Sequence, residues 1–203
     1  IIMAVLTTLT IVTTVVMGLL IYNRFTRAIK QTAISNAESL INSTVEKIDS
    51  DLLNVRQISN ALNYNIIQEG DVNDQEFARQ FSLLYEVNND KVQSLALFDN
   101  EGKLVAAEPV MEQKDNVNVK SQKWYTDALR DIENIHFSTP HIQNLFADES
   151  YKYYWVISLS RSVDINNGKT PVSGVLLVDM KSSVISDTMK AINEDSNEVY
   201  YYL

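Results

Sequence analysis

Trp124, Tyr125 and Asp179 are the side chains in this sequence best suited to recognising a small molecule. An indole next to a phenol offers a stacking surface and a hydrogen-bonding edge, and it serves equally well as plain packing of a short helix on a sheet. Asp179 closes the apolar run Val172 to Met180, so its carboxylate is expected to be buried and to need a partner. A cationic group of a ligand or an internal Arg or Lys would supply one. His136 and His141 have the chemistry of a pH switch or a metal pair. With no Cys and no further clustered carboxylates they make a poor metal site, and no metal is expected. The five glycines lie too far apart for a phosphate-binding loop. There is no Gly-x-Ser-x-Gly elbow, no His-Glu-x-x-His and no pair of catalytic carboxylates. The chemistry on offer is recognition rather than catalysis, and no cofactor is implied.

Around these residues stands a chain that begins with an uncharged run from Ile1 to Tyr22. As a helix rising about 1.5 Å per residue, it spans roughly 30 Å, the hydrocarbon thickness of a bilayer. Thr7, Thr8, Thr10, Thr13 and Thr14 are tolerable there if each hydroxyl bonds back to a carbonyl one turn earlier. Tyr22 and Phe25 occupy interfacial positions. A cleaved secretory signal is the alternative, but the run exceeds the usual signal core and no Ala-x-Ala site follows. Arg24, Arg27 and Lys30 after the span would by themselves hold the body inside the cell. An external body requires a Lys/Arg-rich segment before Ile1, and the chain reads as a clipped fragment that has lost one.

Composition narrows the partners. The chain carries 17 basic and 26 acidic residues; without the three basic residues flanking the span, the body has 14 against 26, a net −12. Such a surface repels nucleic acid, so DNA and RNA partners are not expected. Hydrophobic residues make up 45% of the chain, with five Gly and three Pro, which fits an ordered body with one core. The absence of Cys excludes disulfides and thiolate chemistry.

Periodicity supplies the elements that must position the recognition residues. From Thr26 to about Tyr64, Ile34, Ala37, Ile41, Val45, Ile48, Leu52, Val55, Ser59 and Leu62 recur at steps of three and four, one stripe of one helix. The stripe either packs on the chain's own sheet or pairs with a second copy. Asp49, Asp51 and Ser59 interrupt a strict seam. Gly70 ends this section, and a second helix is expected from Asn73, with Glu76 completing a capping box and Phe77, Phe81, Leu84 and Tyr85 buried. Val92–Phe98 and Lys103–Ala107 read as a hairpin about the turn Asp99 to Gly102. A short helix covers Lys123–Arg130, and short extended pieces at Ile135–Ser138 and His141–Leu145 flank Pro140. Tyr151–Val163 and Val172–Met180 are long strands joined at Asn167-Gly168, with Tyr153, Trp155, Ile157 and Leu159 on one face. A helix follows from Ser182 to about Asn193, and Val199–Leu203, with its three tyrosines, opens a further strand. Asn42-Ser43-Thr44 matches a glycosylation sequon, but a helix is a poor acceptor. The fold expected is α+β, a long helix on an antiparallel sheet of about five strands.

Four stretches carry a family resemblance: Ser94 to Val105; Trp124 to Leu129; Ser138 to His141; and Ser173 to Met180. In order and spacing they resemble the first hairpin, ligand helix, following short strand and closing strand of bacterial Cache sensor domains. The likeness runs from about Gln31 to the end and is similar to the PAS-like, membrane-distal half of a double Cache domain. With the long upstream helix, Leu159–Arg161 is most similar to sensors on two-component histidine kinases. The resemblance implies an extracytoplasmic domain holding a small ligand and signalling through helices, directly or through a partner binding protein. In amino-acid-binding members an Arg two residues before the Trp holds the carboxylate, a Tyr follows the Pro, and the closing-strand Asp holds the ammonium. Trp124, Tyr125 and Asp179 match that pattern, while Gln122 stands in place of the Arg and His141 in place of the Tyr. A neutral amide does not replace a bidentate cation, so free amino acids become doubtful ligands unless Lys123 supplies the charge.

The organisation expected is a transmembrane helix over 1–23, a stalk helix over 24–65, the sensing subdomain over 66–193 and the start of a second over 194–203. The function expected is a ligand-sensing module of a membrane receptor, a histidine kinase by resemblance, dimeric through the long helix, with Gln122, Lys123, Trp124, Tyr125, His141 and Asp179 as the ligand-binding set. The alternatives are the sensor of a chemotaxis receptor, a pilin-like structural subunit, and a membrane-anchored enzyme. Pilins carry an early acidic residue in the apolar run that is missing here, and nothing in the sequence supports the enzyme.

Overall fold

The computed structural model describes residues 2–147, 154–168 and 170–184. The described residues divide into two compact units, residues 2–46 and residues 47–184. Helix α1, Ile2–Ala61, begins in the first and ends in the second.

In the first unit the described part of α1 contains an 18-residue window of mean hydropathy 2.1, long and apolar enough to cross a membrane. Its Leu, Ile and Val side chains from Ile2 to Ile21 are exposed. The threonines behave as lipid requires: Thr7 donates to the Met3 carbonyl, Thr8 to Val5, Thr10 to Leu6 and Thr7, Thr13 to Leu9 and Thr14 to Thr10, at 2.8–3.2 Å. Each hydroxyl is thus satisfied within its own helix. Ile34, Ile41 and Val45 are exposed as well.

The second unit is a sheet with helices on both faces. Past Lys47 the apolar stripe turns inward: Val55, Ile58 and Leu62 are buried, joined by Ile66 and Ile67 from the π-helical turn Leu62–Ile67. Self-packing therefore accounts for the later part of the stripe. Helix α2, Gln75–Asn88, adds Phe77 and Phe81 to the same cluster, with Leu84 and Tyr85 partly buried. The expected capping box does not form. Asp74, not Asn73, is the N-cap; Asn73 is drawn back to the Asp71 carboxylate at 2.9 Å, and Glu76 bonds Arg79 at 2.7 Å. A nearby guanidinium competes successfully for the carboxylate that a capping box would have used.

Strands β1, Val92–Asp99, β2, Leu104–Glu108, β3, His136–Phe137, β4, His141–Ile142, β5, Trp155–Ile165, and β6, Val172–Lys181, form one antiparallel sheet. The order is β2-β1-β6-β5-β3, with β4 also on β5, so the sheet has six strands rather than about five. The difference arises because the two pieces around Pro140 each pair separately with β5. The hairpin turn is closed by Asp99, whose carboxylate accepts from the Glu101 and Lys103 amides at 2.9 Å, while Gly102 takes φ +80°. Gly174 faces Asp99 on one side and Val163 on the other, where a Cβ would strike the Phe98 carbonyl and Ile165.

Period two sorts the sheet into two cores. Leu95, Leu97, Leu159, Leu176, Val178 and Met180 face α1 and α2. Ala96, Phe98, Val175 and Leu177 face helix α3, Lys123–Arg130. Each large buried side chain contributes about 1.5–3 kcal/mol. Trp155, at the start of β5, is exposed, while Ile157 and Leu159 further along the same face are buried. Tyr153, most of the helix after Ser182 and the strand at Val199–Leu203 lie outside the described residues; Ser183 and Val184 are helical.

Candidate functional site: a cleft between α3 and the sheet edge

Gln122 is the N-cap of α3, and its carbonyl accepts the Tyr125 and Thr126 amides at 3.1 Å. The helix is pinned to the sheet at its first turn, where Ser160 donates to the Trp124 carbonyl at 3.0 Å. Successive helical residues project about 100° apart, so Trp124 and Tyr125 cannot face the same way. Tyr125 points into the second core, 1% exposed, and its hydroxyl donates to the Asp99 carbonyl at 2.6 Å. Burial pushes its phenol pKa up. Trp124 lies against Phe98 with ring centres 5.4 Å apart and lines the cleft.

The cleft has two lobes, of about 430 and 350 Å³, which share Gln122, Trp124 and His141 as walls. The first is faced by Asn116, Asn118, Ser121, Gln143 and Asn144 and, among the described residues, by no charged side chain. The second holds Lys123, Asp127, His136 and Ser138. Lys123 is committed to Asp127 at 2.5 Å on the outer surface, and that contact holds the Asp127 carboxyl below its usual range. The His136 Nε2 atom is buried and without a partner among the described residues.

Asp179 lies behind this wall, fully buried. It accepts hydrogen bonds from Ser94 at 2.8 Å and from Ser158 and Gln143. Among the described residues no Arg or Lys is its partner. Three neutral donors hold it, with His141 beyond them. Burial pushes its carboxyl pKa up, against the three hydrogen bonds and the His141 charge. The Ser158 hydroxyl lies 3.4 Å from His141 Nε2, whose Nδ1 is 3.2 Å from the Ser138 hydroxyl. The Thr139 carbonyl lies 3.1 Å from Nδ1 and can only accept, so Nδ1 carries a hydrogen, while the Ser158 hydroxyl donates to Asp179. Gln143 spans the same wall: its amide nitrogen donates to Asp179 and its oxygen accepts the Asn144 and Leu145 amides at 2.8 and 3.1 Å.

Of the six expected residues, Gln122, Trp124 and His141 come together in both lobes and Lys123 stands at the rim of the second. Tyr125 and Asp179 support the wall from behind. Sequence reasoning missed Gln143, Ser158 and Ser138. The one available signal was Ser158, Ser160 and Ser162 at alternate positions of an otherwise apolar strand, a polar row on one face.

No family model matches the chain, and no curated protein matches it by sequence. Solved structures do match it in fold. The sensory domain of the Campylobacter jejuni chemoreceptor Tlp3 with isoleucine bound is 20% identical, with a TM-score of 0.60 over 79% of this chain and 64% of that one. The ligand-binding domain of the Pseudomonas aeruginosa amino acid chemoreceptor PctC in complex with GABA is 18% identical, TM-score 0.58, over 74% and 64%. That of the Pseudomonas fluorescens chemoreceptor CtaA with L-serine is 17% identical, TM-score 0.53, over 72% and 58%. The chain thus spans less than two thirds of the length of each. At these identities the likeness is one of fold, an α+β body with a PAS-like antiparallel sheet behind a long helix.

Proposed function

We propose that this chain is the extracytoplasmic sensing module of a membrane-anchored receptor, and that it takes a small uncharged polar molecule in the Trp124 cleft. The observation that carries the reading is the cleft itself. A stacking ring stands over a lobe faced by amides and hydroxyls, with no charged side chain among the described residues that line it, on a fold shared with chemoreceptor ligand-binding domains. Side-chain amides and hydroxyls offer donors and acceptors in pairs, which suits hydroxyl or amide groups of a ligand better than a carboxylate. With Gln122 where a guanidinium would stand and Lys123 tied to Asp127, a free amino acid has no anchor for its carboxylate here.

The fold relatives favour a chemotaxis-type output over the histidine kinase expected from the resemblance, and nothing in them favours a pilin-like subunit. The exposed Ile34, Ile41 and Val45 support pairing of two copies through α1. A ligand acts on such a receptor only by binding two arrangements unequally. The movable wall here is α3 with its preceding turn Val119–Ser121 and strand β4.

The test is a thermal-shift screen of the full chain in detergent micelles against sugars, polyols, amides and nucleobases. A hit is expected to lose about tenfold or more in affinity in Gln122→Ala and Asn144→Ala, the scale of one lost hydrogen bond to a buried ligand group. A hit that binds both variants and Trp124→Phe as tightly as the parent chain removes the cleft from the mechanism.

A further inference from the structure

On β5 the side chains facing α1 are Ile157, Leu159, Val163 and Ile165, and Arg161 stands in the same row. A guanidinium beside an apolar core is costly unless its charge and donors are met. Arg161 Nη1 donates to Asn60 at 2.8 Å, and the group lies over the Tyr64 ring at 5.4 Å. Among the described residues no carboxylate lies within 4 Å of it, and its Nε is buried with no acceptor. These contacts orient the planar fork without neutralising it.

The fork lines a cavity of about 380 Å³ that also receives Arg56, Glu133 and Asn134. Arg56 too has no carboxylate within 4 Å among the described residues. The body is rich in acid, so two unmatched guanidiniums around one cavity are not for want of carboxylates. Glu133 shares the cavity and is not bonded to either. A cavity with a bidentate cation, a separate anion and two side-chain amides has the charge pattern of a small zwitterion. From this we infer that an α-amino acid binds here, its carboxylate on Arg161 and Arg56 and its ammonium on Glu133. This site lies across the sheet from Trp124, since Ser160, the neighbour of Arg161 on β5, bonds the Trp124 carbonyl on the other face. Its occupant would clamp α1, through Arg56 and Asn60, to β5.

The experiment is titration calorimetry of the full chain in detergent micelles with each of the twenty common amino acids, and with acetate and methylamine as half-ligands. At least one amino acid is expected to bind more tightly than acetate. Arg161→Gln and Glu133→Gln should each weaken it by about tenfold or more, as loss of a charge-assisted pair does. Arg56→Gln, an exposed change, should weaken it as well, and Trp124→Phe should leave it unchanged. The inference is overturned if no amino acid binds at about 10 mM. It is also overturned if acetate binds as well as the amino acid, or if Trp124→Phe and Gln122→Ala rather than Arg161→Gln and Glu133→Gln abolish binding. Binding of an uncharged ligand in the Trp124 cleft, read in the same variants, stands or falls separately.

Discussion

Replacing Asp179 tests the wall of the cleft and the electrostatics behind it together. Its carboxyl accepts from Ser94, Ser158 and Gln143 and is fully buried. In Asp179→Ala the two serine hydroxyls can rotate, Ser158 toward His141 Nε2 at 3.4 Å. The Gln143 amide cannot, because its oxygen is held by the Asn144 and Leu145 amides. One stranded donor costs about 1–3 kcal/mol. The small void adds roughly 0.5–1 kcal/mol at about 24 cal/mol per Å³. The expected loss is therefore about 1.5–4 kcal/mol at low pH. The pH dependence has a definite sign. Burial raises this pKa above its ordinary 3.8, so the folded state holds the proton longer than the unfolded chain. The stabilisation is complete below the ordinary value and is lost as pH rises through the folded value. Asp179→Asn keeps the shape and cannot ionise, so its stability relative to the parent should rise as pH climbs from about 4, by about 1.4 kcal/mol for each unit the pKa is raised. The assay is urea unfolding followed by Trp124 fluorescence in a Trp155→Phe background, a change at an exposed position. Parallel pH profiles for parent and Asp179→Asn, or an Asp179→Ala variant as stable as the parent at about pH 4, would refute the account of a buried carboxyl held by neutral donors.

Two further substitutions probe the frame. Gly174→Ala puts a methyl group against the Phe98 carbonyl and Ile165 between two paired strands, so unfolding free energy should drop by about 1–3 kcal/mol or more; an unchanged urea midpoint would mean that β6 has room there. Tyr125→Phe should cost only about 1 kcal/mol, because the Asp99 carbonyl keeps the Gly102 amide at 3.0 Å, and it should leave ligand affinity unaltered, since the phenol faces the core rather than the cleft.

Much of this architecture was legible because it is local. The uncharged run with back-bonded threonines, the Asp99 to Gly102 turn, the helix at Lys123–Arg130 and the buried strand before Asp179 each depend on residues a few positions apart. Periodicity and turn chemistry report such features directly. The divergence of Trp124 and Tyr125 is legible too, since adjacent helical residues project about 100° apart.

The sequence by itself determined a membrane-crossing length of helix and an α+β order of elements. Only the tertiary structure decided what each polar side chain meets. Asp179 finds Ser94, Ser158 and Gln143, which lie 85, 21 and 36 positions away. Arg161 reaches Asn60 across 101 positions and is left facing a cavity instead of an acid. The reason is physical: strand register and the docking of α3 bring these groups together through apolar burial, which is non-directional and scales with area, so the linear order of polar residues carries little record of their partners.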